Sequence, residues 1–156
     1  MHDLPSVSAL LDELAEFGSA VSQLVQSKPI DWDTRPSGKE WSMTEVMCHL
    51  RDVEREVHQI RFHRLLELDN AFLSGENPDA WVEVRQYKLQ EGSFALAEFL
   101  EERERTLALL SGIKDETLWE RRGRHAFFGL TSMQELVNLA VRHDRAHWVQ
   151  IILLTK

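Results

Sequence analysis

Four stretches of the chain repeat apolar residues at three- and four-residue intervals, the period of one face of an α-helix. Leu10, Leu14, Phe17, Val21 and Leu24 predict a first helix from about Ser6 to Gln26, with Pro29 as its stop. A second helix opens at Ser42, where Glu45 three residues on completes a capping box and Trp41 can pack on Val46. Val46, Leu50, Val53, Val57, Ile60, Leu65 and Leu68 carry it to about Leu73, and Ser74, Gly75, Asn77 and Pro78 end it. Leu96, Leu100, Leu107 and Leu110 predict a third helix ending near Gly112, with Arg103 interrupting the stripe and snorkelling to the edge. Thr131 with Gln134 reads as a second capping box, opening a fourth helix through Met133, Leu136 and Ala140.

A helix that is apolar on one stripe must bury that stripe against another element, so four of them predict an all-α four-helix bundle, here a single domain over residues 1–156. The connections differ in reach. Residues 28–41 hold Pro29, Pro36 and Gly38, residues 112–130 read as a Gly-containing loop, and residues 74–92 could span roughly 60 Å if extended. That last segment is longer than any helix in the chain and can serve as a crossover.

Charge and cysteine usage narrow the partners. A formal net charge of -8 disfavours nucleic acid, and the short Arg121, Arg122, Arg124 cluster reads as a solvated loop. The single cysteine, Cys48, excludes an intramolecular disulfide and reads as a core residue. The chain opens His2, Asp3, Leu4, Pro5 without a basic and apolar leader and has no apolar run of membrane-spanning length, so a cytoplasmic location and no membrane partner are expected. Neither a Gly-rich phosphate loop nor a nucleophile-elbow motif occurs.

Chemistry concentrates in the last helix. His143 and His147 stand four residues apart on the seam of Met133, Leu136 and Ala140, so both imidazoles leave one face, one turn apart. His49 lies about 10 Å from the start of the second helix and His147 about 10 Å from the end of the fourth, at 1.5 Å per residue. If those helices are antiparallel, three imidazoles share one level. Three neutral imidazoles suit a divalent ion such as zinc, nickel or iron and leave coordination positions open, a catalytic arrangement. Asp52, one turn after His49, and Asp144, beside His143, are candidates to orient the rings, and Glu56 is a candidate further ligand. His2, His125, His58 and His63 receive no role, the last two because a five-residue spacing turns them to different faces.

Trp41-Ser42 leading through Glu45 to His49-Leu50, a broken crossover, and His143-Asp144-Arg145-Ala146-His147 with Gln150 resemble the DinB/YfiT-like superfamily over nearly the whole chain. The resemblance implies an up-down-down-up bundle with helices two and three parallel across the crossover, a homodimer, and a divalent metal on His49, His143 and His147. Some members are transferases or isomerases using mycothiol, bacillithiol or glutathione, and others are described as metal-dependent hydrolases. A related branch of sulfoxide synthases carries a glutamate two residues after the histidine pair. Val149 stands there in this chain, so iron-oxygen chemistry is discounted.

The expected activity is therefore that of a metal-dependent enzyme activating a thiol or water for attack on a small electrophile. A low-molecular-weight thiol is a candidate cosubstrate, with thiol transfer set slightly ahead of hydrolysis on the resemblance alone. The rival reading is a non-catalytic, stress-associated metal-binding homodimer. Helix directions place residues 28–41 and the end of the crossover above the histidines, making Trp32, Trp41, Trp81 and Tyr87 candidate pocket walls and Arg85 a candidate anion binder. The 112–130 loop is expected at the far end.

Overall fold

The structure, a computed structural model, describes residues 3–156, and His2 lies outside them. Helix α1 (Val7–Ser27) is capped by Ser6, whose side chain accepts from the amide of Ala9 at 3.1 Å. Helix α2 (Met43–Val53), a π-helical segment (Glu54–His58) and α3 (Gln59–Glu67) form one continuous rod. Its start is the predicted capping box: Glu45 N donates to Ser42 Oγ at 3.2 Å and Ser42 N donates to Glu45 Oε1 at 3.0 Å. The crossover carries the short α4 (Trp81–Val84) between 3-10 turns, and α5 (Gly92–Ser111) and α6 (Met133–Leu154) complete the four-helix bundle. Among the described residues no helix is long and apolar enough to cross a membrane.

Contacts at the helix ends fix the directions. Gln134 Nε2 donates to the carbonyl of Pro5 at 2.7 Å and Lys28 Nζ donates to the carbonyl of Thr155, so α1 and α6 share both their starts and their ends. At Gly92, a Cβ would sit 2.5 Å from both Thr44 Oγ1 and Trp32 Cε3 and 3.1 Å from the backbone of Thr44. Only glycine lets the start of α5 approach the start of α2 this closely. The two rods therefore run parallel, opposite to α1 and α6, the up-down-down-up order expected.

Several local expectations fail for identifiable reasons. The second helix stops at Glu67, and Phe72–Leu73 forms strand β1 instead of a last turn. Residues 112–130 are not a plain loop. They contain a 3-10 turn (Glu116–Glu120) and strand β2 (Arg122–His125), which pairs parallel with β1 and antiparallel with β3 (Gly129–Ser132). Thr131 pairs with Gly123 in that ladder and cannot cap α6. Ser132 does so, accepting from Glu135 N at 3.1 Å, while the Gln134 amide is spent on Pro5. Arg121 is not simply solvated, because its Nη1 donates to the carbonyls of Leu65 and Leu66 and caps the end of α3. The π segment also shifts the core register: Phe62 and Leu65 are buried, whereas Ile60 and Leu68 of the predicted stripe are half-exposed.

Two apolar clusters fill the bundle. One gathers Leu10, Leu14, Phe62, Leu65, Leu110, Met133, Leu136 and Val137 near the sheet, and the other gathers Phe17, Val21, Met43, Val46, Met47, Leu50, Phe99 and Ile151 near the crossover. Charged groups lie between them. Arg103, predicted at the edge, is 3% exposed and donates all five of its N–H groups. Glu54 accepts at 2.9 and 3.0 Å, Asp144 at 2.7 and 2.9 Å, and the carbonyl of Leu14 at 2.8 Å. One guanidinium thus ties the four long elements together at mid-height. The interruption of the leucine stripe marks this inward-facing group; spacing alone does not reveal its two carboxylate partners.

Candidate metal centre

Every residue of α2 is buried, because α5, α6 and the crossover cover it from all sides. His49 therefore has no solvent to reach and projects into the bundle, where the antiparallel α6 presents His143 and His147 from successive turns. His143 Nε2 lies 3.2 Å from His49 Nε2 and 3.1 Å from His147 Nε2, and the three nitrogens lie within 4.8 Å of one another. Ligand nitrogens held 2.0–2.1 Å from a tetrahedral ion are about 3.3 Å apart, so the spacing of the adjacent pairs fits a first-row divalent ion. The donor chemistry fits as well. Neutral rings aim nitrogens at one another here, and a cation at their common point would satisfy all three.

Burial keeps the rings neutral. Desolvation, with help from the neighbouring His147 and His58, takes the His49 pKa down to about 3, although the Pro78 carbonyl acts the other way. His143 is lowered by desolvation and then by His58, His147 and His49. His147 is lowered by desolvation, opposed by Gln150 and by the charge of Asp79. Gln150 Oε1 sits 2.8 Å from His147 Nδ1, which assigns the proton to Nδ1 and leaves Nε2 free to coordinate. Trp41 covers the group, its ring 4.8 Å from that of His49 and 6.2 Å from that of His147, nearly parallel to the latter at 15°.

A cleft of about 390 Å³ opens on His143 and His147 and is walled by Lys39, Glu40, Trp41, Asp79 and Gln150. Of the residues predicted to wall a pocket, Trp41 lines it. Trp32 is wedged against Gly92 beneath the start of α5, Trp81 packs under the Arg85 guanidinium at 4.0 Å, and Tyr87 is fully buried. Arg85 is not free for an anion, since it bridges Asp52 and Glu56. Asp52 accepts from Arg51, Arg85 and Tyr87 instead of a histidine, Asp144 is held by Arg103, and Glu56 pairs with Arg85. Each carboxylate has found a guanidinium, a stronger partner than a neutral imidazole. Cys48 Sγ contacts Gln90 Oε1 at 3.6 Å, and burial pushes its thiol up to about 11, consistent with a core role.

Sequence reasoning missed Lys39, Glu40 and Asp79, which lie on irregular segments and carry no periodic signal. It also set aside His58. That ring meets His143 edge-on, with centroids 5.5 Å apart at 83°, and burial lowers its pKa to about 4. Nine residues at 100° each would put His58 opposite His49, but the extra residue of a π segment leaves it about 80° away, on the same side. His63 is exposed, and His125 is buried in the β2–β3 hairpin, accepting from Phe127 N at 3.0 Å.

Among solved structures, the chain is similar to YfiT from Bacillus subtilis, described as "a probable metal-dependent hydrolase with an unusual four-helix bundle topology". The likeness has a TM-score of 0.82 at 23% identity and covers 99% of this chain and 90% of that one. No curated protein matches the sequence. The sequence model of the DinB superfamily matches residues 9–151, from the first turn of α1 to the last turn of α6. The chain belongs to the DinB superfamily.

Proposed function

We propose that this protein is a metal-dependent hydrolase in which His49, His143 and His147 hold a divalent ion at the floor of the cleft beside Trp41. The observation that carries the reading is the convergence of three neutral imidazole nitrogens, with adjacent pairs at 3.1 and 3.2 Å and no carboxylate among them. An ion bound there would lower the pKa of an adjacent water or thiol, making a nucleophile available near neutral pH.

The chain's own groups divide the remaining work. Gln150 holds the His147 ring in the tautomer that coordinates through Nε2. Trp41 closes one side of the cleft and keeps bulk water from His49. Lys39, Glu40 and Asp79 line the cleft, where they can orient a small polar substrate. Hydrolysis is favoured over thiol transfer by this lining: a thiol cosubstrate bearing carboxylates would meet Glu40 and Asp79, with Lys39 as the one cationic group in the wall. The likeness to YfiT supports the same choice.

The test is a comparison of ester and amide hydrolysis with thiol transfer to model electrophiles, using tag-free protein loaded with zinc, nickel or iron. Hydrolysis abolished by chelation and in His147→Ala supports the reading. Turnover that requires an added thiol moves the protein to the transferase class. Tight metal binding without turnover on either panel leaves a non-catalytic metal-binding module.

A further inference from the structure

We propose that His58 is the outer partner of His143, accepting a hydrogen bond from its Nδ1–H and so aiming its Nε2 at the metal centre. The inference rests on reading the three histidines as a metal site. A metal-ligating imidazole is held in place by a hydrogen bond from its second nitrogen. For His147 that partner is Gln150 Oε1 at 2.8 Å. His49 Nδ1 is buried and has no hydrogen-bond partner among the described residues. For His143 the contacts among the described residues run through Nε2 alone, leaving Nδ1 to be matched.

The carboxylates that usually serve are taken. Both oxygens of Asp144 and both of Glu54 are bound by Arg103. What remains against His143 is His58, whose Nε2 is buried and has no hydrogen-bond partner. An unmatched buried nitrogen is costly and calls for a physical explanation. The two rings are 5.5 Å apart between centroids, and an imidazole–imidazole N–H···N bond of about 3 Å needs roughly 5.3 Å. The bond is not closed in this structure, where His58 Nε2 is unpartnered among the described residues; the 83° interplanar angle allows a small rotation of either ring on metal binding to close it, because twist about the N···N line leaves donor and lone pair on that line. The π segment is what brings His58 to this side of the rod, and such segments occur frequently at functional sites.

Two readouts test the assignment. In zinc-loaded protein with nitrogen-15-labelled histidine, a coupling across the hydrogen bond should link Nδ1 of His143 to Nε2 of His58. Zinc affinity, measured by competition with a fluorescent chelator, should fall about 10–100-fold in His58→Phe, which keeps the ring contact but loses the acceptor, with helical content unchanged. His58→Gln, whose amide oxygen reaches near the Nε2 position, should recover part of that loss. Absence of the coupling together with wild-type affinity in His58→Phe overturns the proposal. A cobalt spectrum showing one fewer nitrogen ligand in His58→Phe overturns it differently, making His58 a ligand. If the wild-type chain binds no zinc, the proposed function itself fails, a result distinct from either. Should His58→Phe not fold, the coupling in the wild-type protein decides.

Discussion

Replacing Arg103 by Met should destabilise the protein severely even though the new side chain is apolar, unbranched and of similar length. The guanidinium is 3% exposed and its five N–H groups make five hydrogen bonds, two to Glu54, two to Asp144 and one to the Leu14 carbonyl. The substitution strands two buried carboxylates. Removing one member of a buried ion network costs about 3–5 kcal/mol, because the partners stay desolvated without compensation. At about 2–4 °C per kcal/mol for a chain of this size, the melting temperature should drop by roughly 6–20 °C. Calorimetry with matched urea unfolding measures it. Combining Arg103→Met with Glu54→Leu and Asp144→Leu should recover most of the loss, since the cost lies in the orphaned charges. A single Arg103→Met variant melting within about 2 °C of the wild type would refute the reasoning, as it would mean that water reaches the carboxylates.

Other outcomes follow from the same structure. His143→Ala and His147→Ala should lose metal retention by elemental analysis while keeping their circular dichroism, because the apolar clusters supply most of the burial; global unfolding would make the metal structural. Gly92→Ala should cost about 1–3 kcal/mol in urea unfolding, since its Cβ would meet Thr44 and Trp32 at 2.5 Å and the Thr44 backbone at 3.1 Å. The metal-free protein should lose stability on acidification. Burial lowers the pKa of His49 to about 3 and of His58 to about 4 in the folded chain against about 6.5 unfolded, so below 6.5 the unfolded state binds more protons and stability falls as the pH falls. At about pH 5 the loss is roughly 2 kcal/mol for His49 alone, and a melting temperature flat between pH 7 and 5 would contradict it.

The helices and their order were legible because each announces itself through a 3.6-residue apolar stripe and, at Ser42, a capping box that forms as written. The histidine triad was legible because His49 and His147 sit at equal heights on antiparallel helices, a relation that survives errors of a residue or two at the ends. What the sequence hid are features that break helical period. The π segment at Glu54–His58 moves Ile60 and Leu68 outward and His58 inward, and no composition cue marks it. The short strand Phe72–Leu73 draws its partners from a segment some fifty residues away, so only tertiary pairing defines it. Arg103, Asp52, Asp144 and Arg85 look like surface charges or metal-site accessories in sequence because side-chain type carries no information about which opposite charge lies across the bundle. The cleft residues Lys39, Glu40 and Asp79 reach the histidines only through the path of two irregular connections.

The claim that His49, His143 and His147 hold one divalent ion is tested most directly by X-ray absorption on tag-free protein loaded with zinc. One ion per chain is expected, with three imidazole nitrogens at about 2.0–2.1 Å and the remaining scattering from solvent, all lost in His49→Ala. Zinc bound through fewer than two imidazoles, or retained unchanged when His147 is replaced by Ala, would contradict it.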